Sequence, residues 1–232
     1  MRQRVYFSDK EELYTSRQLS SLVRLAHKYC IVDVEQQALA CLKKYFTDKF
    51  DLWDNTPGLF VYGHEQHDLS SGIEAIRLAR LTNTPEMLPV AFYICTLLEG
   101  AVLDGWTRAD GAVVHLASED LRRVIDGYGI LQRESHQLLT DQVSVKPHKT
   151  CVTPAQCGPI LQYLLEKHLE NKSPCVLHAF PAYIAYVAKQ KLCGCCKDHL
   201  TDSSRVERRK LWLRLPYVFD IQAEVPAWKT EP

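Results

Sequence analysis

The stretch Ser20 to Phe46, "SSLVRLAHKYCIVDVEQQALACLKKYF", decides the class of fold. Leu22, Ala26 and Tyr29 recur at helical spacing; after a break, Val34, Ala38, Cys41, Leu42 and Tyr45 do so again. A period near 3.6 with two apolar faces predicts two short helices between about Leu19 and Phe46.

The same period continues along the chain. Ile73, Ile76 and Ala79 start an amphipathic helix that should stop near "TNTP", because the residue before Pro85 is pushed out of helical geometry. Met87, Leu88, Ala91, Phe92, Cys95 and Leu98 make the next. Ser118 is the expected N-cap of a helix carrying Leu121, Val124, Ile125, Leu131 and Leu138, with Glu119 and Asp120 complementing its dipole. Two more helices are expected over about 158–170 and 177–191, and a last one, capped by Asp202 or Ser203, carries "RVERRKLWLRL" and is closed by Pro216. One interruption is β-like: Trp106 to Arg108 and Val113 to Leu116 flank Ala109-Asp110-Gly111, which predicts a small hairpin. The expected fold is therefore mainly α, a helical bundle with one small β-hairpin. Residues 51–71 hold Pro57, Gly58 and Gly63 without a sustained period and read as a connector.

With 232 residues, 46% of them hydrophobic, the chain can bury a substantial core. Lys plus Arg equal Asp plus Glu at 28 each, so no global field draws it to nucleic acid or anionic lipid. The start, "MRQRVYFSDKEEL", is charged where a secretory signal needs apolar residues, and no run approaches the ~18 apolar residues of a membrane span. A cytoplasmic or nuclear protein is expected, without membrane contact. No G-x-S-x-G, P-loop or G-x-G-x-x-G motif appears, and no carboxylate pair is placed for acid/base work, so no enzyme is expected.

Nine cysteines, three of them in "KLCGCCKDHL" (191–200), suggest metal or buried thiols in a reducing compartment. Cys151, Cys157, Cys193 and Cys196 form the candidate metal set, spaced C-x5-C, a 35-residue insert and C-x2-C. Helices near 158–170 and 177–191 each travel roughly 20 Å at 1.5 Å per residue, so an up-and-down path returns the second pair to the first. Four thiolates around structural zinc would then staple the open end of a helical hairpin. Cys195, Cys175, His148 and His199 are the substitutes if one ligand is otherwise chosen. Two alternatives remain: the thiols are small hydrophobes in a core, or Cys193 and Cys196 are a redox pair, though helical "AYVAKQK" precedes them where such a pair needs a strand. Cys30, Cys41 and Cys95 fall on apolar helical faces and are expected in the core. His64 and His67 with Glu65 and Asp68 lack the HExxH spacing, and Arg205, Arg208, Arg209 and Lys210 read as a solvated face opposite Val206, Trp212 and Leu213.

The opening stretch resembles the last two helices of a BTB/POZ domain, with their "LxxLAxKYxIxxLxxxAxxxL"-like run. "IEAIRLARLTNTPEMLPVAFYICTLL", "GWTRADGAVVHLASEDLRRVI" and "RRKLWLRLPYVFDI", in that order, look like the helical extension of BTB-domain proteins abundant in mushroom-forming fungi. The resemblance implies residues 1–55 as the C-terminal helices of a BTB/POZ domain lacking its N-terminal half, and 56–232 as the extension with the cysteine cluster. That family has cysteines in similar places. The implied role is a non-enzymatic protein–protein interaction module with an unidentified protein partner. The alternatives are a nucleic-acid-binding zinc module, disfavoured by charge, and a thiol oxidoreductase using the C-x-x-C. Only some 18 residues precede the helical pair, so the usual BTB homodimer is not expected, and part of the pair's apolar surface is expected to stay exposed.

Overall fold

In the computed structural model, residues 14–55, 68–108, 110–142, 146–169, 177 and 191–228 are described. The protein is mainly helical with one two-stranded antiparallel hairpin, as its periodicity predicts. Residues 178–190 of the expected helix over 177–191, Cys175, and the His64, Glu65 and His67 group lie outside the described residues.

Helices α1 (Ser16–Lys28) and α2 (Val32–Tyr45) form the first pair. Thr15 and Gln18 make a reciprocal capping box that satisfies two orphan N–H groups at the start of α1. The break between the helices is Cys30, whose φ of 55° puts it in the left-handed region. A short α3 (Phe50–Asp54) follows. Then come α4 (Ser71–Leu81), a 3-10 turn at Pro85–Met87, α5 (Leu88–Thr96) and a second 3-10 segment at Glu99–Asp104. The stop after α4 falls where Thr84 precedes Pro85, with Asn83 at φ 52° turning the chain.

Strands β1 (Trp106–Thr107) and β2 (Val113–Val114) pair with Trp106 opposite Val114. Asp110 and Gly111 supply the turn chemistry: the Asp110 carboxylate accepts the Ala112 N–H, and Gly111 takes φ 82°. Helix α6 (Ser118–Gln142) begins one residue earlier than Ser118 as N-cap would require, because the Ala117 carbonyl accepts the Leu121 N–H. Helices α7 (Pro154–Leu169) and α8 (Gly194–Val218) complete the described elements. Asp202 and Ser203 do not cap a late helix: α8 is already running from Gly194, and both lie inside it. It also runs two residues past Pro216.

By backbone proximity the chain divides into two compact units, Met1–Asp126 with Leu215–Pro232, and Gly127–Arg214. In the first, α5 is buried along its whole length, and Leu19, Val23, Ala26, Ala38 and Leu42 of the opening pair are buried too. Phe92 stacks on Phe219 at 5.3 Å and Trp53 meets Tyr93 edge-on at 5.9 Å, geometries that aromatic quadrupoles favour. The α1–α2 pair shares this unit with α4, where Arg24 forms an ion pair with Glu74, a carboxylate 1% exposed. Buried Asp120 accepts both arms of Arg80, at 2.8 and 2.6 Å, and also Arg123; Arg80 and Arg123 both reach Glu224. This network ties α4 and the start of α6 to the C-terminal segment.

In the second unit, Leu161, Leu164 and Leu200 form a buried cluster with Ile160, Leu165 and Leu192 against it. That cluster fixes α7 against the first turns of α8. Along α8 the expected solvated face is partly inverted. Arg208 is buried, its Nε donating to Ser204 Oγ, whereas Val206 is 53% exposed. Ser204, Arg208, Leu211, Trp212 and Leu215 share the inward face, since positions three and four apart lie together on a helix.

Candidate metal centre

Two local structures present the cysteines. Residues 146–153 form a loop in which the Cys151 N–H bonds to the His148 carbonyl, and Thr153 starts α7: its carbonyl accepts the Cys157 N–H, with Pro154 at the first helical position. Cys157 therefore sits in the opening turn of α7 as its fourth residue, because the helix starts at Pro154, four residues before the expected start at Gly158. Lys191 at φ 62° and Leu192 turn the chain into α8, whose first turn opens at Gly194 after Cys193 and contains Cys196.

The structure brings together Cys151, Cys157, Cys193 and Cys196, one sulfur from each lying within 4.8 Å of the others. Among the described residues this is the one group of three or more metal-ligating side chains. A tetrahedral zinc with Zn–S bonds of about 2.3 Å needs sulfur–sulfur edges of roughly 3.8 Å. The Cys151–Cys193 edge is 3.5 Å, so small side-chain adjustments complete the tetrahedron. Cys157 and Cys196 are buried, and Cys151 and Cys193 half-buried.

Each sulfur also meets a backbone donor. The Cys193 N–H points at Cys157 Sγ at 3.4 Å, the Cys196 N–H at Cys193, the His148 N–H at Cys196 and the Thr153 N–H at Cys151. Thr153 Oγ1 adds a contact to Cys157 Sγ at 3.5 Å. Such donors favour thiolate over thiol, and thiolate is what binds metal. The effect wins at Cys193, which is pulled down to about 6, first by the Cys196 N–H. Burial wins at Cys196, pushed up to about 12, and it also raises Cys151. A divalent cation resolves the contest by neutralising charge where burial penalises it. The four residues can hold a metal ion, and all four positions of a tetrahedron would be protein sulfur.

The substitutes among the described residues, Cys195, His148 and His199, stand outside this set. Cys195 is exposed, and the His148 and His199 rings face one another, their centroids 4.7 Å apart and their planes tilted by 40°. Of the three cysteines expected in the core, Cys95 is buried and Cys41 half-buried, but Cys30 is exposed. The reason is local: it lies past the end of α1 in a left-handed turn, off the face that the helical period assigns it.

Sequence reading missed Glu74, which is buried on an otherwise apolar helix face, with Arg24, Arg77 and Arg108 near enough to act on its charge. No period of apolar residues marks a charged residue as internal.

No family model matches this chain, and neither does any curated protein or solved structure.

Proposed function

We propose that the chain is a non-enzymatic protein–protein interaction module of BTB/POZ type whose second unit, Gly127–Arg214, is held by a structural zinc ion. The observation that carries the zinc reading is the four-sulfur constellation. Catalytic zinc keeps a position open for water or substrate, whereas four thiolates close the shell. Zinc is preferred because a compact tetrahedron of thiolates matches its ligand preference and geometry. The resemblance of the Ser20 to Phe46 run and its extension to BTB-type proteins supports the adaptor role. So does the α1–α2 turn, where Leu25, Tyr29, Ile31 and Val32 are all exposed within eight residues; clustered apolar exposure of this kind characterises protein contact surfaces.

Local charge argues against nucleic acid at the same end. Lys146, Lys149, Lys191 and Lys197 are exposed near the ligands, but Asp198 and Asp202 are exposed beside them, and a four-thiolate zinc centre carries two negative charges. The lysines are balanced by the centre they surround.

Metal analysis of protein purified without added metal tests the first half: about one zinc per chain is expected, with cobalt substitution giving tetrahedral thiolate absorption. The second half is tested by Leu25→Glu with Tyr29→Glu, which should abolish co-purification of a partner while zinc content stays unchanged. A metal-free, fully stable protein refutes the zinc reading.

A further inference from the structure

The geometry points to the Cys151–Cys193 edge as the oxidation site of the centre, at which peroxide forms a disulfide between these two residues and expels the zinc. The inference rests on the zinc reading above and deepens it.

Four sulfurs offer six possible pairs, all within 4.8 Å, and the structure separates them by access. Cys151 and Cys193 stand 3.5 Å apart and are both half-buried, so a small oxidant reaches them from solvent. Cys157 and Cys196, at 0% and 2% exposure, are shielded. A disulfide needs its sulfurs at about 2.05 Å, which closes the gap by about 1.5 Å, within the reach of side-chain rotation. Cys151 lies on the 146–153 loop and Cys193 just ahead of α8, so neither is held inside a helical turn. Cys157 and Cys196 are each built into a first turn, and their movement would disturb α7 or α8.

One sulfur attacks the O–O bond of hydrogen peroxide, taking one oxygen as a sulfenic acid while hydroxide leaves. The neighbouring sulfur attacks that sulfur and displaces a second hydroxide. Two thiolates have lost two electrons, and the peroxide, with two protons, has become two waters. Zn²⁺ is left with Cys157 and Cys196 alone, too few ligands for a closed structural site, and departs. The 146–153 loop and the start of α8 stay joined, now by a covalent bond in place of the metal. A thiol reductant with added zinc reverses the change.

Cys195 is the competitor, being exposed and adjacent in sequence. It lies outside the sulfur cluster, because neighbouring residues on a helix point about 100° apart and Cys196 is the one that faces inward.

The test uses the full chain, its zinc measured before any treatment. Hydrogen peroxide is added, released zinc is read with a metallochromic dye, and disulfides are mapped by mass spectrometry of unreduced peptides. One zinc released per Cys151–Cys193 disulfide is expected, with Cys195→Ser behaving identically. Release accompanied by a Cys157–Cys196 bond, release lost in Cys195→Ser, or zinc retained under peroxide overturns the oxidation site while leaving the zinc reading intact. Absence of zinc before treatment overturns both, and is read separately.

Discussion

Replacing Arg24 by Met should make the stability of the first unit strongly pH-dependent, and the buried Glu74 is the reason. Its carboxylate is 1% exposed, while the Arg24 side chain that pairs with it is 22% exposed. One carboxylate oxygen, Oε2, has no hydrogen-bond partner among the described residues. Burial raises the Glu74 pKa above the ordinary carboxylate value; Arg24, then Arg108 and Arg77, pull against it without prevailing. The folded state thus holds this proton more tightly than the unfolded one, and stability falls as pH rises from the ordinary carboxylate value through the folded value. Arg24→Met removes the largest opposing influence and moves the folded value further up. At pH 7.5 the variant leaves a buried charge without its main partner, at a cost of about 3–5 kcal/mol. At pH 5 more of Glu74 is protonated, a neutral acid has little need of Arg24, and the loss should fall to about 1–2 kcal/mol. Glu74→Gln should be milder, about 1–2 kcal/mol, because the partly exposed guanidinium can still reach water and the Trp106 ring, whose centroid lies 6.0 Å away. The double variant should be more stable at pH 7.5 than Arg24→Met alone, since it buries no unpaired charge. Urea unfolding followed by tryptophan fluorescence at both pH values measures all three. Equal losses for Arg24→Met at pH 5 and 7.5 would refute the reasoning.

Removal of the proposed zinc by a chelator should raise amide exchange chiefly over 146–157 and 191–200, the segments that carry the four clustered cysteines, with little effect on α1 to α5. Cys196→Ser should lose the metal and lower the unfolding midpoint markedly, whereas Cys30→Ser, exposed and outside the centre, should change stability by no more than about 0.5 kcal/mol; equal effects would count against the metal site. Gly105→Ala should cost at least about 2 kcal/mol, because φ is 77° there and an added Cβ would meet the Val114 carbonyl oxygen at 2.7 Å; a thermal melt matching the parent would show that the hairpin can shift. Asp120→Ala should cost about 3 kcal/mol by leaving Arg80 with Glu224 alone and Arg123 with Glu119 and Glu224, and high salt should not remove the difference, since Asp120 is buried.

The helical class, the hairpin and its turn were determined by the sequence itself, because they depend on neighbours three or four residues apart and on what Asp110 and Gly111 can do with their own backbone. The cysteine spacing also suggested four particular ligands, since C-x5-C and C-x2-C each place two sulfurs on one local structure. Tertiary structure decided the rest. It brought the two cysteine pairs into one cluster across the 35-residue insert, and set Cys157 and Cys196 inward with Cys151 and Cys193 toward solvent. It turned Cys30 outward, made α8 one helix through Asp202 and Ser203, and buried Arg208 and Glu74. Capping residues and apolar periods state local preferences of a fraction of a kcal/mol to about 1 kcal/mol each. Packing of Leu200 against Leu161 and Leu164, or pairing of Glu74 with Arg24, is worth as much or more, and depends on residues far apart in the chain that no local pattern connects.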